Sequence, residues 1–263
     1  MFLCINALPS TAQTTSEQQY LSLQNYIHYV GGTGVGNYTK IQDAIDNASD
    51  GDTVFVFDYS SPYIENIVIN KSIYLIGEDK FITVIDGNYS GNAVEVSADW
   101  VNISGFTIQN GNKGIYMNSD YNTITDNNIL KNNYGIELYN SNNNNITGNN
   151  IFSNNRIGIW ISDSSTITIG INNISKNEYG IWISFSDNIT INKNNFINNK
   201  QYAFFEIYFI RCNNIWEQNY WNKPRTFPKL IIGILVITLN LYSYILFPWI
   251  NIDRHPAKEP YEI

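Results

Sequence analysis

The chain has 263 residues, a formal net charge of −8 and only 14% charged residues, and its pI is about 4.7. This length is enough for one elongated domain with a shared core. Nucleic-acid binding rests on lysine and arginine contacts with phosphates, and the acidic sequence has no basic face. We therefore expect no nucleic-acid partner.

The N-terminal segment resembles part of an export signal. Residues 1–8 form an apolar stretch that is short and lacks the basic n-region of a signal peptide. Residues 9–13 supply the small side chains of a cleavage region. We therefore interpret residues 1–28 as a signal-peptide remnant or leader and predict an extracellular or cell-surface location.

Residues 29–90 are predicted to form an N-terminal cap and the first, irregular coils. The apolar side chains of segment 39–48 recur at the i, i+3, i+4, i+7 spacing of an amphipathic helix: Ile41, Ala44, Ile45 and Ala48. A short helix here would cover the open end of the first coil. Without such a cap, the exposed sheet edge would favour end-to-end association.

Residues 91–222 are predicted to form regular repeats. Between Gly114 and Asn199, four copies of an asparagine-rich unit align at intervals of 22, 23 and 22 residues. The recurring positions include Ser119, Ser141, Ser164 and Ser186, then Ile124, Ile146, Ile169 and Ile191, then Asn127, Asn149, Asn172 and Asn194, then Ile129, Ile151, Ile174 and Phe196, and finally Asn132, Asn154, Asn177 and Asn199. A fixed period of this size indicates a solenoid, in which each repeat buries its apolar face against its neighbours.

Within each copy the apolar residues alternate, as in Ile115 and Met117, which is the period of a short strand with one face inward. The strands end at Asn, Ser, Asp or Gly, residues that tolerate turn conformations. Stacked coils would place isoleucines inside and asparagine ladders at the corners, with each side-chain amide bonded to the next. The predicted fold class is all-β: a right-handed parallel β-helix of about eight coils with a short N-terminal capping helix.

Asparagine accounts for 41 residues, and we interpret most of those in the repeats as corner architecture rather than ligand contacts. The same excess creates eight Asn-x-Ser/Thr sequons, at Asn37, Asn47, Asn70, Asn88, Asn102, Asn145, Asn173 and Asn188. The sequence leaves open whether these sequons are glycosylated or are chance products of the composition.

Residues 223–263 are predicted to form a C-terminal apolar tail or cap. The run 230–250 is long enough to span a bilayer. Its β-branched and aromatic residues favour strands, and the basic residues before it, such as Lys223 and Lys229, would lie on the exported side, against the positive-inside tendency. A strand segment that caps the helix and a membrane anchor both stay open.

Four segments resemble a known family. They are 37–54 (NYTKIQDAIDNASDGDTV), 62–69 (PYIENIVI), 71–78 (KSIYLIGE) and 219–222 (NYWN). With the repeats, they make the chain similar to the NosD-type (periplasmic copper-binding protein-like) right-handed parallel β-helix family of archaeal surface or secreted proteins. That family belongs to the wider group of carbohydrate-binding proteins and sugar hydrolases. The resemblance covers about residues 29–222 and implies a fold, whereas fold alone does not imply function.

The family name points to copper, which proteins bind through clustered His, Cys or Met side chains. This chain has two of each, and none are paired at ligand spacing: His28, His255, Cys4, Cys212, Met1 and Met117. We therefore predict no metal site and no cofactor. A structural disulfide between the two cysteines is left open.

Relatives with this fold include polysaccharide lyases, hydrolases, esterases and epimerases, and such enzymes need paired carboxylates, or a base with a cation or metal. The carboxylates of the repeats are scattered: Asp120, Asp126, Glu137, Asp163, Glu178 and Asp187. No histidine accompanies them. We interpret them as solvated surface acids and assign no catalytic residue.

The best candidate surface is an outward column that reads Tyr116, Glu137, Trp160 and Trp182, with Tyr139 beside it. Adjacent coils would place the two tryptophans about 4.8 Å apart on a solvent-facing strand. Exposed aromatic rings with flanking amides and hydroxyls suit sugar rings, and exposed apolar patches also mark protein interfaces. A purely structural aromatic ladder is the third alternative. Glu137, with Arg156 and Lys176 nearby, would select the charge of the sugar.

From these observations we expect a non-catalytic module that binds polysaccharide or surface glycans, or that serves as a structural element of the cell envelope. A carbohydrate-active enzyme (lyase, hydrolase or epimerase) is the alternative, and an accessory role in periplasmic copper handling is the third.

Overall fold

The computed structural model describes residues 25–207, 213–240 and 243–263. The segment at residues 1–24 and both cysteines, for which we made predictions, lie outside the described residues. The elements, in chain order, are β1 (Ile27–Val30), α1 (Ile41–Asn47), β2 (Thr53–Val56), a short 3-10 helix (Asp58–Ser60), β3 (Tyr63–Ile64), β4 (Ile67–Ile69), β5 (Tyr74–Gly77), β6 (Val84–Asp86), β7 (Val94–Val96), β8 (Asn102–Ser104), β9 (Thr107–Gln109), β10 (Lys113–Met117), β11 (Thr123–Thr125), β12 (Asn128–Leu130), β13 (Tyr134–Tyr139), β14 (Asn145–Thr147), β15 (Asn150–Phe152), β16 (Ile157–Ser162), β17 (Thr168–Gly170), β18 (Asn173–Ser175), β19 (Tyr179–Ser184), β20 (Thr190–Asn192), β21 (Asn195–Ile197), β22 (Gln201–Ile207), β23 (Ile215–Glu217), β24 (Tyr220–Trp221), β25 (Lys229–Asn240) and β26 (Ser243–Asp253).

Short strands wind into a parallel β-solenoid of about nine turns, close to the eight coils predicted. Each regular turn contributes one strand to each of three parallel sheets. Sheet 1 contains β1, β2, β5, β8, β11, β14, β17, β20, β23 and β26. Sheet 2 contains β3, β6, β9, β12, β15, β18, β21 and β24. Sheet 3 contains β4, β7, β10, β13, β16, β19, β22 and β25.

The isoleucine columns form the core, as the repeat predicts. In sheet 1 the register places Ile124 opposite Ile146, and in sheet 2 it places Ile129 opposite Ile151. All four side chains are fully buried. Because equivalent residues of successive turns lie above one another, one apolar column runs through all the regular turns.

Asparagine ladders hold the corners between sheets 1 and 2. The backbone N–H and the side-chain amide of Asn127 both donate to Oδ1 of Asn149, at 3.0 and 3.2 Å. The side-chain amide of Asn149 also donates to the carbonyl of Ile124, one turn earlier, at 2.8 Å. The column consists of Asn127, Asn149, Asn172, Asn194 and Asn219, and it ends on the carboxylate of Asp253. The predicted bonding from each amide to the next is therefore confirmed.

A second ladder, between sheets 2 and 3, explains the glycine of the repeat. It consists of Asn132, Asn154, Asn177 and Asn199. A Cβ on Gly135 would lie 2.5 Å from the carbonyl oxygen of Gly158 and 3.0 Å from Nδ2 of Asn154. Only glycine lets these turns stack at this distance.

At each corner of the first ladder, the residue before the asparagine adopts the turn conformation. In the first ladder, the left-handed backbone is adopted by the residue before each asparagine, with φ from 53° to 68°: Asp126, Gly148, Ile171, Lys193 and Gln218. The amide of Asn149 donates back to the carbonyl of Thr147 at 3.0 Å. This bond spans Gly148, so the residue between the two partners takes up the turn.

The predicted capping helix is present. Its residues Ile41, Ala44 and Ile45 are buried against the first turns. At its N-terminus the Glu65 carboxylate accepts hydrogen bonds from the backbone N–H groups of Ile41 and Gln42, at 2.9 and 3.1 Å. At its C-terminus the Lys71 ammonium donates to three backbone carbonyls. Both side chains compensate the unpaired groups and the dipole of a helix only two turns long.

The C-terminal segment ends the stack with an antiparallel hairpin, a pairing that the sequence analysis did not specify. Strand β25 follows β22 in sheet 3 at residues 233–235, and β26 joins sheet 1 at Asp253. The final residues return along sheet 2, where the backbone and side chain of Asn195 pair with the backbone of Tyr261. In the part of the chain that the structure describes, no helix is long and apolar enough to cross a membrane. A membrane anchor at 230–250 stays a prediction.

Candidate functional site

The candidate surface is the outer face of sheet 3, where side chains alternate between core and solvent. In β16, Ile159 and Ile161 point inward and are fully buried, so Trp160 between them points outward. The register aligns Tyr116, Glu137, Trp160, Trp182 and Phe204 in one column. Four of the predicted residues therefore lie in one column, which Phe204 extends by one turn.

The two tryptophans contribute to an open groove of about 420 Å³. Its aromatic residues are Tyr134, Trp160, Tyr179, Trp182 and Phe185. The ring of Trp160 lies 5.4 Å from that of Tyr134, and the ring of Trp182 lies 4.9 Å from Tyr179 and 5.0 Å from Phe204. Each ring is therefore braced by a neighbour, which limits its motion before a ligand binds.

Both tryptophan rings are partly buried, and their Nε1 atoms are buried without an acceptor among the described residues. Since Nε1 is the only polar atom of the side chain, the part of each ring that faces the groove is hydrocarbon. Such a surface suits the apolar face of a sugar ring rather than a hydrogen-bonding group.

Polar groups stand around the aromatic floor. The guanidinium of Arg156 donates to the Tyr134 hydroxyl at 2.8 Å. At the opposite end, the hydroxyl of Ser184 donates to the Glu206 carboxylate at 3.1 Å. Ser162 and Glu178 also line the groove. The arrangement combines apolar faces with hydroxyl, carboxylate and guanidinium groups at the rim.

Tyr116 and Glu137 lie at the N-terminal end of the same column and make a separate cluster with Lys113. The Lys113 ammonium is 3.0 Å from Oε1 of Glu137 and 4.0 Å from the centre of the Tyr116 ring. Glu137 is only 8% exposed. Burial, followed by the nearby carboxylates of Glu137 and Glu95, raises the pKa of the Tyr116 hydroxyl. The ion-pair partner of Glu137 is thus Lys113.

Tyr139 lies opposite Ser162 in the adjoining column and is 48% exposed. It does not line the groove around the tryptophans, and the residues of its column that do are Ser162 and Ser184, on the following turns. The predicted residues therefore divide into two tryptophans in the groove and three residues beside it.

Sequence reasoning missed Tyr134, Tyr179 and Glu206. The two tyrosines directly precede the repeat glycines Gly135 and Gly180, so the repeat register already marked them as a second outward column. Glu206 could not be found in this way, because β22 departs from the repeat consensus. The position of Glu206 opposite Ser184 is known only from the strand register of the structure.

The described residues do not fit a copper site. His28 lies 3.0 Å from Asp52, and His255 lies 3.7 Å from Glu217 in another part of the solenoid. Met117 is fully buried in the core. No group of three or more His, Cys, Asp or Glu side chains within the described ranges could hold a metal ion. This donor set differs from the clustered His, Cys and Met ligands that copper prefers.

Comparison with known proteins places this solenoid in a family. The family model described as "Periplasmic copper-binding protein (NosD)" matches residues 45–244, and the chain belongs to this family. A cell surface glycoprotein from Methanothermus fervidus is 33% identical over 105 residues, which is 39% of this chain and 17% of that relative. The chain thus matches only about a sixth of the length of this relative.

Two solved structures align with part of this chain. An alginate lyase from Paenibacillus sp. str. FPU-7 aligns at 16% identity with a TM-score of 0.43, over 69% of this chain and 74% of the lyase. The enzymatically active domain of tailspike protein 2 from bacteriophage CBA120 aligns at 14% identity with a TM-score of 0.39, over 80% and 43% of the two chains. At these scores the likeness carries no information about activity.

Proposed function

We propose that this protein is an exported or cell-surface β-helix module that binds polysaccharide or other surface glycans in the groove of sheet 3. The observation that carries the proposal is the groove floor, where Trp160, Trp182, Tyr134 and Tyr179 present ring surfaces on successive turns. Aromatic rings spaced along a strand match the repeating rings of a glycan, and the rim supplies hydrogen-bonding groups. The name of the surface glycoprotein relative and the periplasmic description of the family support a location outside the cytoplasm.

The spacing of the carboxylates supports binding rather than glycoside hydrolysis. The groove contains two carboxylates and Arg156, which is the observation in favour of an enzyme. Glu178 precedes β19, however, and Glu206 lies opposite the last residue of that strand. Six strand positions separate the backbones of the two residues, or roughly 20 Å. Hydrolytic pairs are about 5 to 9.5 Å apart, so these two groups are not placed to share one glycosidic bond.

A glycan array tests the proposal. Wild-type protein is expected to bind a subset of polysaccharides, and the Trp160→Ala/Trp182→Ala double variant should lose at least about tenfold in affinity, since two large apolar contacts are removed. Trp100→Ala is the matched control, because Trp100 is 64% exposed and stacks on Tyr121 at 4.4 Å, outside the groove. Circular dichroism of all variants verifies that the fold is retained.

Three results would contradict the proposal. The first is the absence of binding to any glycan, and the second is equal binding by the wild type and the double variant. The third is turnover of a bound polysaccharide, detected as unsaturated products or new reducing ends, which would establish the enzymatic alternative instead.

A further inference from the structure

The outer face of sheet 3 continues past the groove into a second cavity of about 340 Å³. It is lined by Lys200, Gln201, Tyr202, Trp221, Lys229 and the start of β25. Gln201 lies directly opposite Tyr179 of the groove, one turn earlier. Lys200 lies 3.7 Å from Glu178, which lines the groove. The two cavities therefore adjoin, on consecutive turns of one sheet.

Positive charge distinguishes this second cavity, although the chain as a whole is acidic. The Lys229 ammonium is held 6.0 Å from the ring centre of Tyr202 and 5.9 Å from that of Trp221. Burial, together with the nearby charge of Arg225, lowers the pKa of Lys229. Nε of Arg225 is buried without an acceptor among the described residues. An anion in the cavity would relieve the repulsion between these two cations.

The carboxylates nearby leave these cations without a full counter-charge. Asp253 is opposite Lys229 in the hairpin, but its Oδ2 turns into the core and accepts hydrogen bonds from Asn219 and the Trp221 indole, both at 3.0 Å. Glu178 is paired with the exposed Lys200 at a long distance of 3.7 Å. Lys229, placed over two aromatic rings, is thus available to a ligand anion.

We propose that this second cavity binds the carboxylate of a uronic acid unit, so that the glycan recognised by the protein is acidic. This inference rests on the proposed function, because the same chain of sugars would lie on the aromatic groove and place one acidic unit beside Lys229. Tyr202 would contact the sugar ring, and Lys229 would form a charge-assisted hydrogen bond to its carboxylate, with the charge of Arg225 nearby adding to the attraction.

Two ligands that differ at the uronate carboxyl, which is charged in one and methyl-esterified in the other, provide the test. A galacturonate hexamer and its methyl-esterified form are titrated calorimetrically into the wild type, Lys229→Gln and Lys193→Gln. Lys193 is exposed at the corner between sheets 1 and 2 and serves as the matched control. The wild type should bind the acid about tenfold more tightly than the ester, and Lys229→Gln should remove this preference by weakening binding of the acid about tenfold more than binding of the ester.

Two further measurements keep the result interpretable. Arg225→Gln should also reduce the preference, and 0.5 M salt should weaken binding of the acid but not of the ester. The inference would be overturned if the wild type bound acid and ester with equal affinity. It would also be overturned if Lys229→Gln lost the same amount of affinity for both ligands. If neither hexamer binds but a neutral glycan binds at the groove, the inference fails and the proposed function stands. If no glycan binds, the proposed function itself fails.

Discussion

At the scale of single residues, the asparagines have a structural role that accounts for their abundance. Each ladder asparagine accepts a hydrogen bond from the turn before it and donates one to the turn after it, as Asn149 does with Asn127 and Asn172. Buried backbone groups at the corners would otherwise lack partners, and each would cost about 1–3 kcal/mol. The ladders therefore stabilise the corners, and we expect a binding site at positions where the repeat varies.

The corner before each ladder asparagine is one such variable position, and Ile171 is poorly suited to it. Its φ of 55° lies in the left-handed region, which is unfavourable for a β-branched side chain by about 1–2 kcal/mol. The equivalent residues are Asp126, Gly148, Lys193 and Gln218. We predict that Ile171→Asn stabilises the protein by about 1 kcal/mol, because Asn tolerates this conformation and the isoleucine is 47% exposed.

The midpoint of denaturant unfolding measures this effect, with Ile82→Asn as the control. Ile82 is similarly exposed, at 52%, and is not among the residues with positive φ. The control should change stability by less than about 0.5 kcal/mol. A loss of stability in Ile171→Asn, or an equal gain in both variants, would show that the backbone conformation of this corner is not strained.

At the scale of elements, the N-terminal strand β1 is held by one buried carboxylate. Asp52 accepts hydrogen bonds from the backbone N–H of Tyr26 and Ser49, both at 2.8 Å, and contacts His28 at 3.0 Å. Burial alone would raise the pKa of Asp52, but these hydrogen bonds and the charge of His28 together lower it below its usual value of 3.8. Protonation of Asp52 would therefore release β1.

The sign of the pH dependence follows from that lowered pKa. A carboxyl whose pKa is lower in the folded state contributes its stabilisation above its unfolded pKa and loses it as the pH falls through the folded value. We predict that amide hydrogen exchange in β1, corrected for intrinsic rates, accelerates below about pH 4, whereas exchange in β16, which has no carboxylate, changes little. In Asp52→Asn, β1 should be less protected already at pH 7. Parallel loss of protection in β1 and β16 would contradict this assignment.

Most elements of the solenoid follow from sequence period alone. The 22-residue repeat and the two-residue alternation predict the strands, the ladders and the stacking register, and the stripe of Ile41, Ala44 and Ile45 predicts the cap. The C-terminal hairpin could not be predicted, because an uncharged apolar run such as 230–250 satisfies the length of a membrane span as well as that of two strands. Antiparallel pairing of β25 with β26 is decided by contacts with the last turns, which no local pattern encodes.

At the scale of the whole molecule, the stacking of turns brings residues that are one repeat apart in sequence together on one surface. Residues about 22 positions apart become neighbours on sheet 3, so Trp160 and Trp182 lie side by side although a full turn separates them. The tryptophan pair could be predicted in this way. The depth of the groove and the second cavity could not, because they depend on β22, β25 and the tail, where the repeat has ended.

The most direct measurement of the central claim is a crystal structure of the protein with the tightest glycan from the array bound at saturation. We predict that sugar rings lie over Trp160 and Trp182 on sheet 3, within van der Waals contact of the indoles, and that the chain of sugars points towards Lys229. Glycan bound at the corner of Trp100 and Tyr121, or on sheet 1 or sheet 2, would contradict the account and identify another surface as the functional one.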